Sequence, residues 1–166
     1  MQLNRARWTL LQVRARYKNV AYHNFRHCFD VTQTVYSLVN KGSNAELLQP
    51  IDRLALMLSA VVHDCGHPGL NNNFHVNKQT NLALLYNDAS VLENYHVSLA
   101  SKLMGEADSN ILADFEPELK KALRKSVIAC VLSTDMSQHF DLMNGFKAQL
   151  EVGQWESKKE ASTPEP

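Results

Sequence analysis

The chain has 166 residues, 45% of them hydrophobic, the length of one ordinary domain with enough apolar content for a core. Lys plus Arg and Asp plus Glu number 17 each, so net charge gives no reason to expect nucleic acid or an anionic membrane as the principal partner. The longest apolar run, Leu54 to Val62 with one serine, is too short to cross a bilayer, and the three cysteines show no C-x-x-C spacing. A cytoplasmic protein with reduced thiols and no transmembrane segment is expected.

Taken in chain order, the periodicity is helical throughout, and an all-α multi-helix bundle is predicted. The first helix spans about 4 to 17. Six basic residues and no acidic one precede Asp30, a composition a transit peptide shares, but Trp8, Leu11 and Ala15 at helical spacing favour an amphipathic helix packed on the domain through that face. Helices follow at about 25 to 40, 50 to 63, 76 to 86, 91 to 104, 117 to 133 and 137 to 150. Lys41-Gly42-Ser43-Asn44 ends one of them, Pro50 and Pro117 stand near first helical positions, and Ser90 with Glu93 reads as a capping box. Residues 1–150 form the domain. From 151 to 166 apolar residues thin out, and a polar, disordered tail is expected.

Chemistry concentrates in His63-Asp64-Cys65-Gly66-His67-Pro68-Gly69-Leu70-Asn71-Asn72-Asn73-Phe74. Two imidazoles and a carboxylate beside an apolar run are costly to desolvate unless paired or coordinated, which suggests a metal or an anion between them. Upstream, Tyr22-His23-Asn24-Phe25-Arg26-His27 adds a second pair. On a helix, two histidines four apart share one face about 6 Å apart along the axis.

The patterns H-N-x-x-H at 23 to 27, H-D-x-x-H-P-G-x-x-N-x-F at 63 to 74, L-E-N-x-H at 92 to 96 and T-D-M-x-x-H at 134 to 139 resemble, in order and spacing, class I 3′,5′-cyclic nucleotide phosphodiesterases. The likeness runs from about Trp8 to Leu150 and is greatest to the high-affinity, cGMP-selective branch. It implies hydrolysis of cGMP, cAMP or both to the 5′-monophosphate by two-metal activation of water, in cyclic-nucleotide signalling. It also implies His27, His63 and Asp64 as ligands of Zn²⁺, Asp64 bridging to Mg²⁺ (or Mn²⁺), and His23 as the general acid. His67 would bond metal-held water or a nearby carboxylate, Glu93 and Thr134 would bond metal-held water, and Tyr22 and Asn72 would face the substrate pocket. Read without the resemblance, the histidines are satisfied core residues, Asp64 a turn residue, Glu93 half of a capping box and Thr134 a carbonyl partner at a helix end. His75 lies outside the family pattern and is expected at the surface; His96 and His139 are expected in structural or outer roles.

The resemblance is incomplete. The family's further metal-binding aspartate, and the glutamine and aromatic clamp that read the base, have no counterpart here, and Cys65 stands where a larger apolar residue is usual. A catalytic domain incomplete at both ends is therefore expected, with the remainder of that domain as an implied partner beside the cyclic nucleotide. The alternatives are a truncated, non-catalytic metal-binding remnant and an HD-type phosphohydrolase of another phosphate ester.

Overall fold

The computed structural model describes residues 2–41 and 44–151. It resolves into two compact units that divide after Leu132, and every element among the described residues is helical. The tail expected over 151 to 166, Glu151 apart, and the Gly42-Ser43 turn lie outside the described residues.

In the first unit, α1 (Gln2–Arg16), α2 (Phe25–Val39), the single turn α3 (Asn44–Leu47) and α4 (Pro50–Val62) are followed by two short helices, α5 (Asn72–Asn77) and α6 (Asn81–Leu85), and by α7 (Val91–Gly105) and α8 (Pro117–Leu132). Helix α4 is the hub. It packs between α2 and α8, while α7 packs on α8 and on α1. Its start is fixed by Pro50 at the first helical position and by Asp52, whose carboxylate accepts from the Gln49 N–H at 3.2 Å, which satisfies a donor no helical carbonyl can reach. The core gathers Val13, Cys28, Ala55, Val62, Leu103, Leu123, Val127 and Val131. Full burial of a leucine such as Leu103 or Leu123 contributes about 1.5–3 kcal/mol.

Three expectations for this unit are corrected. The face of α1 that packs inward is Thr9, Val13 and Tyr17, while Trp8 and Leu11 stand nearly half exposed. Thr9 is held inside because its hydroxyl donates to carbonyl oxygen, with Arg5 O at 2.8 Å and Ser109 O at 2.7 Å in reach, so a polar residue at helical spacing marks the buried side. The helix expected over 76 to 86 is two, because Gln79 takes a left-handed conformation (φ 46°) and Thr80 caps a new start, accepting from Ala83 N–H. The Ser90 half of the expected Ser90–Glu93 capping box is not made. Ser90 is itself left-handed (φ 41°) and its side chain makes no cap bond. Asn72 takes over instead, its Oδ1 accepting from Leu92 N–H at 2.9 Å and its amide donating to Glu93 Oε2 at 2.9 Å.

In the second unit a 3-10 turn (Met136–Gln138) leads into α9 (His139–Glu151). Asp135 starts the turn by accepting from Ser137 N–H at 2.9 Å. Helix α9 exposes Phe140, Leu142, Met143 and Phe146.

Candidate metal centre

Helix α4 stops at Val62, and the next residues double back in a turn closed by Cys65 N–H to Val62 O and His67 N–H to Asp64 O, both 3.0 Å. Gly66 makes that turn possible. It sits at φ +80°, and a Cβ there would meet Leu99 Cδ2 at 2.8 Å and the Tyr95 hydroxyl at 3.0 Å, so both conformation and space exclude a side chain. Tyr17 pins the turn from just past the end of α1: its hydroxyl donates to Val61 O at 3.0 Å and accepts from Asp64 N–H at 3.3 Å. Burial raises the Tyr17 pKa, keeping the phenol neutral.

Asp64 is thereby placed at the centre of four histidines, all in the first unit. On its Oδ2 side, His63 Nε2 lies at 3.1 Å and His27 Nε2 at 3.4 Å, and the two nitrogens are 3.4 Å apart. The tautomer of His63 follows from its other nitrogen: Nδ1 lies 2.9 Å from Ala60 O, a group that only accepts, so Nδ1 carries the proton and Nε2 presents a lone pair. Despite its close neighbours, the buried Asp64 Oδ2 has no hydrogen-bond partner. Two imidazole nitrogens and an orphaned carboxylate oxygen thus converge on one point, an arrangement that a cation or an added proton would satisfy.

The triangle also has the right size. Ligand atoms about 2.0–2.1 Å from a common tetrahedral centre stand about 3.3–3.4 Å apart, close to the three edges observed here. His27, His63 and Asp64 could therefore hold a metal ion; Asp64, His67 and His96 form a second cluster on the other side, the candidate atoms of each set lying within 4.8 Å of one another. Without an ion, a proton on His63 fills the gap. Burial works against it, but the bond to Asp64 and the carboxylate's charge raise the His63 pKa above its ordinary value. Burial likewise opposes ionisation of Asp64, yet His63 and the surrounding imidazoles hold its carboxyl down at about 2. Burial lowers His27, with His63 and His23 adding to it against the pull of Asp64.

On the Oδ1 side the two histidines differ in kind. His96 donates from Nδ1 to Cys65 O at 2.8 Å, leaving the Nε2 lone pair 3.9 Å from Asp64 Oδ1. His67 is the reverse, its Nδ1 accepting from Gly69 N–H at 3.0 Å, so Nε2–H is a donor suited to water or an oxyanion rather than to a metal. Burial lowers both to about 4, and they are neutral at pH 7.

His23 precedes α2 rather than lying on it, because Asn24 is the N-cap, accepting from Arg26 N–H and His27 N–H. The two histidines of that motif still converge, ring centroids 5.8 Å apart, and His23 stacks on His67 at 3.9 Å. Tyr22 is exposed, its ring 4.6 Å from that of His27; both line an open, polar pocket of about 370 Å³ with Asn24, Arg26, Asp30 and Thr34. Asn72 is spent on Glu93 and Leu92 rather than on an open cavity. His75 corrects its surface assignment. It is 5% exposed, with Nδ1 2.9 Å from the Thr80 hydroxyl, so its ring belongs to the α5–α6 junction. Thr134 and His139 fall in the second unit, both exposed.

The family model for 3′,5′-cyclic nucleotide phosphodiesterases matches residues 22–164. The chain belongs to that family. Members of the phosphodiesterase family depend on metal ions, as the Asp64 cluster would lead one to expect. Similar curated relatives are the 3′,5′-cyclic-nucleotide phosphodiesterase regA of Dictyostelium discoideum, 46% identical over 142 residues, and the mouse (Mus musculus) high affinity cGMP-specific 3′,5′-cyclic phosphodiesterase 9A, 43% identical over 145 residues. These alignments cover 85% and 87% of this phosphodiesterase chain but only 18% and 27% of the relatives. The crystal structure of the phosphodiesterase domain of Salpingoeca rosetta rhodopsin phosphodiesterase superposes with a TM-score of 0.87 at 35% identity, covering 91% of this chain and 46% of that one. No helix among the described residues is long and apolar enough to cross a membrane.

Tyr17 escaped the sequence reading, and His96, expected in a structural or outer role, lies beside Asp64. His96 had a signal, its spacing of three from Glu93 on one helix, which puts both on the same face. Tyr17 had none, since the bond it makes to Asp64 joins residues far apart in the chain.

Proposed function

We propose that this chain forms the metal-binding portion of an enzyme that hydrolyses cGMP or cAMP to the 5′-monophosphate. The observation that carries the reading is the triangle of His27, His63 and Asp64, with an orphaned carboxylate oxygen at its centre. These three would hold Zn²⁺, and Asp64 Oδ1 would face a second ion, Mg²⁺ or Mn²⁺, which prefers oxygen ligands and retained water. Bound there, the pair would lower the pKa of water and neutralise charge developing on the phosphate.

The chain's own residues take the remaining tasks. His67 donates from Nε2 toward the reacting oxygens, and His96 and Glu93 accept from water on the Oδ1 side. Asn72 is a positioning residue, fixing Glu93 and the start of α7 with one amide. His23, braced by the His67 ring, delivers a proton to the leaving 3′-oxygen, and Tyr22 walls the pocket beside it. A cytoplasmic setting, with the rest of the catalytic domain supplying base recognition, belongs to the same reading.

Metal content tests it. Purified protein should carry close to stoichiometric zinc, Asp64→Ala should lose it, and His139→Ala, at an exposed residue of the other unit, should keep it. Equal zinc in the two variants would overturn the assignment.

A further inference from the structure

The helices α4, α7 and α8 leave a second concavity, a cavity of about 210 Å³ lined by none of the residues assigned to the metal centre. Buried Val97, Leu123 and Val127 line it together with Leu58, Met104 and Ile128. The concavity is partly open to solvent, and an enclosed apolar cavity of roughly 150 Å³ already takes up benzene. The space here is therefore large enough for an apolar body somewhat bigger than one ring, or for a short acyl chain.

The lining is not uniformly apolar. Arg124 and Lys120 belong to it, with Ser101 and Asn110, and no carboxylate does. Lys120 donates to Ala113 O at 2.8 Å and Arg124 to the Ser101 hydroxyl at 2.6 Å, so both side chains are positioned rather than free to swing. The Arg124 bond uses one nitrogen of a planar fork, and such a fork matches a carboxylate with two parallel hydrogen bonds.

We propose that this cavity binds a small amphiphilic carboxylate, its hydrocarbon among Leu58, Val97 and Met104 and its charged end on Arg124 and Lys120. A neutral apolar ligand would leave the cation pair unused, and an anion without a hydrocarbon body would leave the apolar wall unfilled. A protein helix needs far more room than about 210 Å³, whereas a short acyl chain fits within it. The inference is independent of the catalytic reading, because none of its lining residues is assigned to the metal centre.

Octanoate is the probe and octanol its uncharged counterpart, titrated into the full chain by calorimetry and followed by thermal unfolding. Octanoate should bind saturably and raise Tm. Arg124→Glu should weaken octanoate by at least about tenfold while leaving octanol within about twofold. Met104→Trp fills the space and should abolish binding of both with zinc content unchanged; Ile128→Phe gives the same reading from α8 should the tryptophan not be accommodated. No saturable binding of octanoate, equal affinity for octanol, or undiminished binding in a folded, cavity-filled variant would each overturn the proposal.

Discussion

Two regions of the first unit are buried to the same depth on opposite terms. Around Leu123, Val127 and Val131, burial removes apolar surface from water, and these side chains carry no polar atom that needs a partner. Around Asp64, four residues are equally sheltered (His63 8%, Asp64 8%, His67 5% and His96 1% exposed), yet a carboxylate oxygen is left without a hydrogen bond. Burial alone therefore does not distinguish a core from a site. What distinguishes them is whether the buried atoms satisfy one another, and at Asp64 they do so only around an added cation or proton.

If that contrast is right, changes in the polar region should cost chemistry and changes in the apolar region should cost fold. The largest effect is expected from His23→Ala in a longer, catalytically active form of the chain, where turnover should fall about 10²- to 10⁴-fold with zinc content and Tm nearly unchanged. A cyclic nucleotide analogue with a thiol leaving group needs less help from an acid and should recover much of that loss. An equal fall on both substrates would remove His23 from the general-acid role. Leu123→Ala should do the opposite, lowering stability by about 2–5 kcal/mol in urea unfolding while the folded fraction keeps its zinc. Metal loss out of proportion to unfolding would show that the two regions are not separable.

The smallest effect concerns pH in metal-free protein. His67 and His96 are held at about 4, against an ordinary 6.5, so on acidification the unfolded chain takes up these protons first. Their contribution to stability is full above about pH 6.5 and is lost as pH falls toward 4. His63, shifted upward, opposes this in part, and the depressed value of Asp64 acts only at lower pH. The urea midpoint should thus be lower at pH 4.5 than at pH 7, and His96→Gln should remove about one proton from the excess uptake. A flat midpoint across that range would mean that the imidazoles are not buried as neutral bases.

The sequence made the long helices legible because their signals are local: Pro50 and Pro117 at helix starts, and apolar residues at a period that only a helix satisfies. It was weakest over residues 72 to 90, where Gln79 and Ser90 turn left-handed. Neither is a residue whose type announces that conformation, and a side-chain amide some 20 positions away replaced the expected Ser90 cap. The family resemblance implied the three corners of the Asp64 triangle. It could not assign tautomers, because Ala60 O, Cys65 O and Gly69 N–H, which fix His63, His96 and His67, are backbone groups whose positions exist only once the turn has formed. The misplacement of Trp8 has the same origin, since hydrophobicity could not show that Thr9 would find carbonyl partners inside.

The residue that follows Asp64 gives the centre a reporter of its own. Cys65 is fully enclosed and burial pushes its thiol up to about 12, Cys28 is nearly as well shielded, and Cys130 is only partly covered. Alkylating reagents require both access and a thiolate, so the three sulfurs form a graded series of clocks. The pace at Cys130 sets the reference, and the lag at Cys65 records how seldom the turn carrying Asp64 parts from its neighbours.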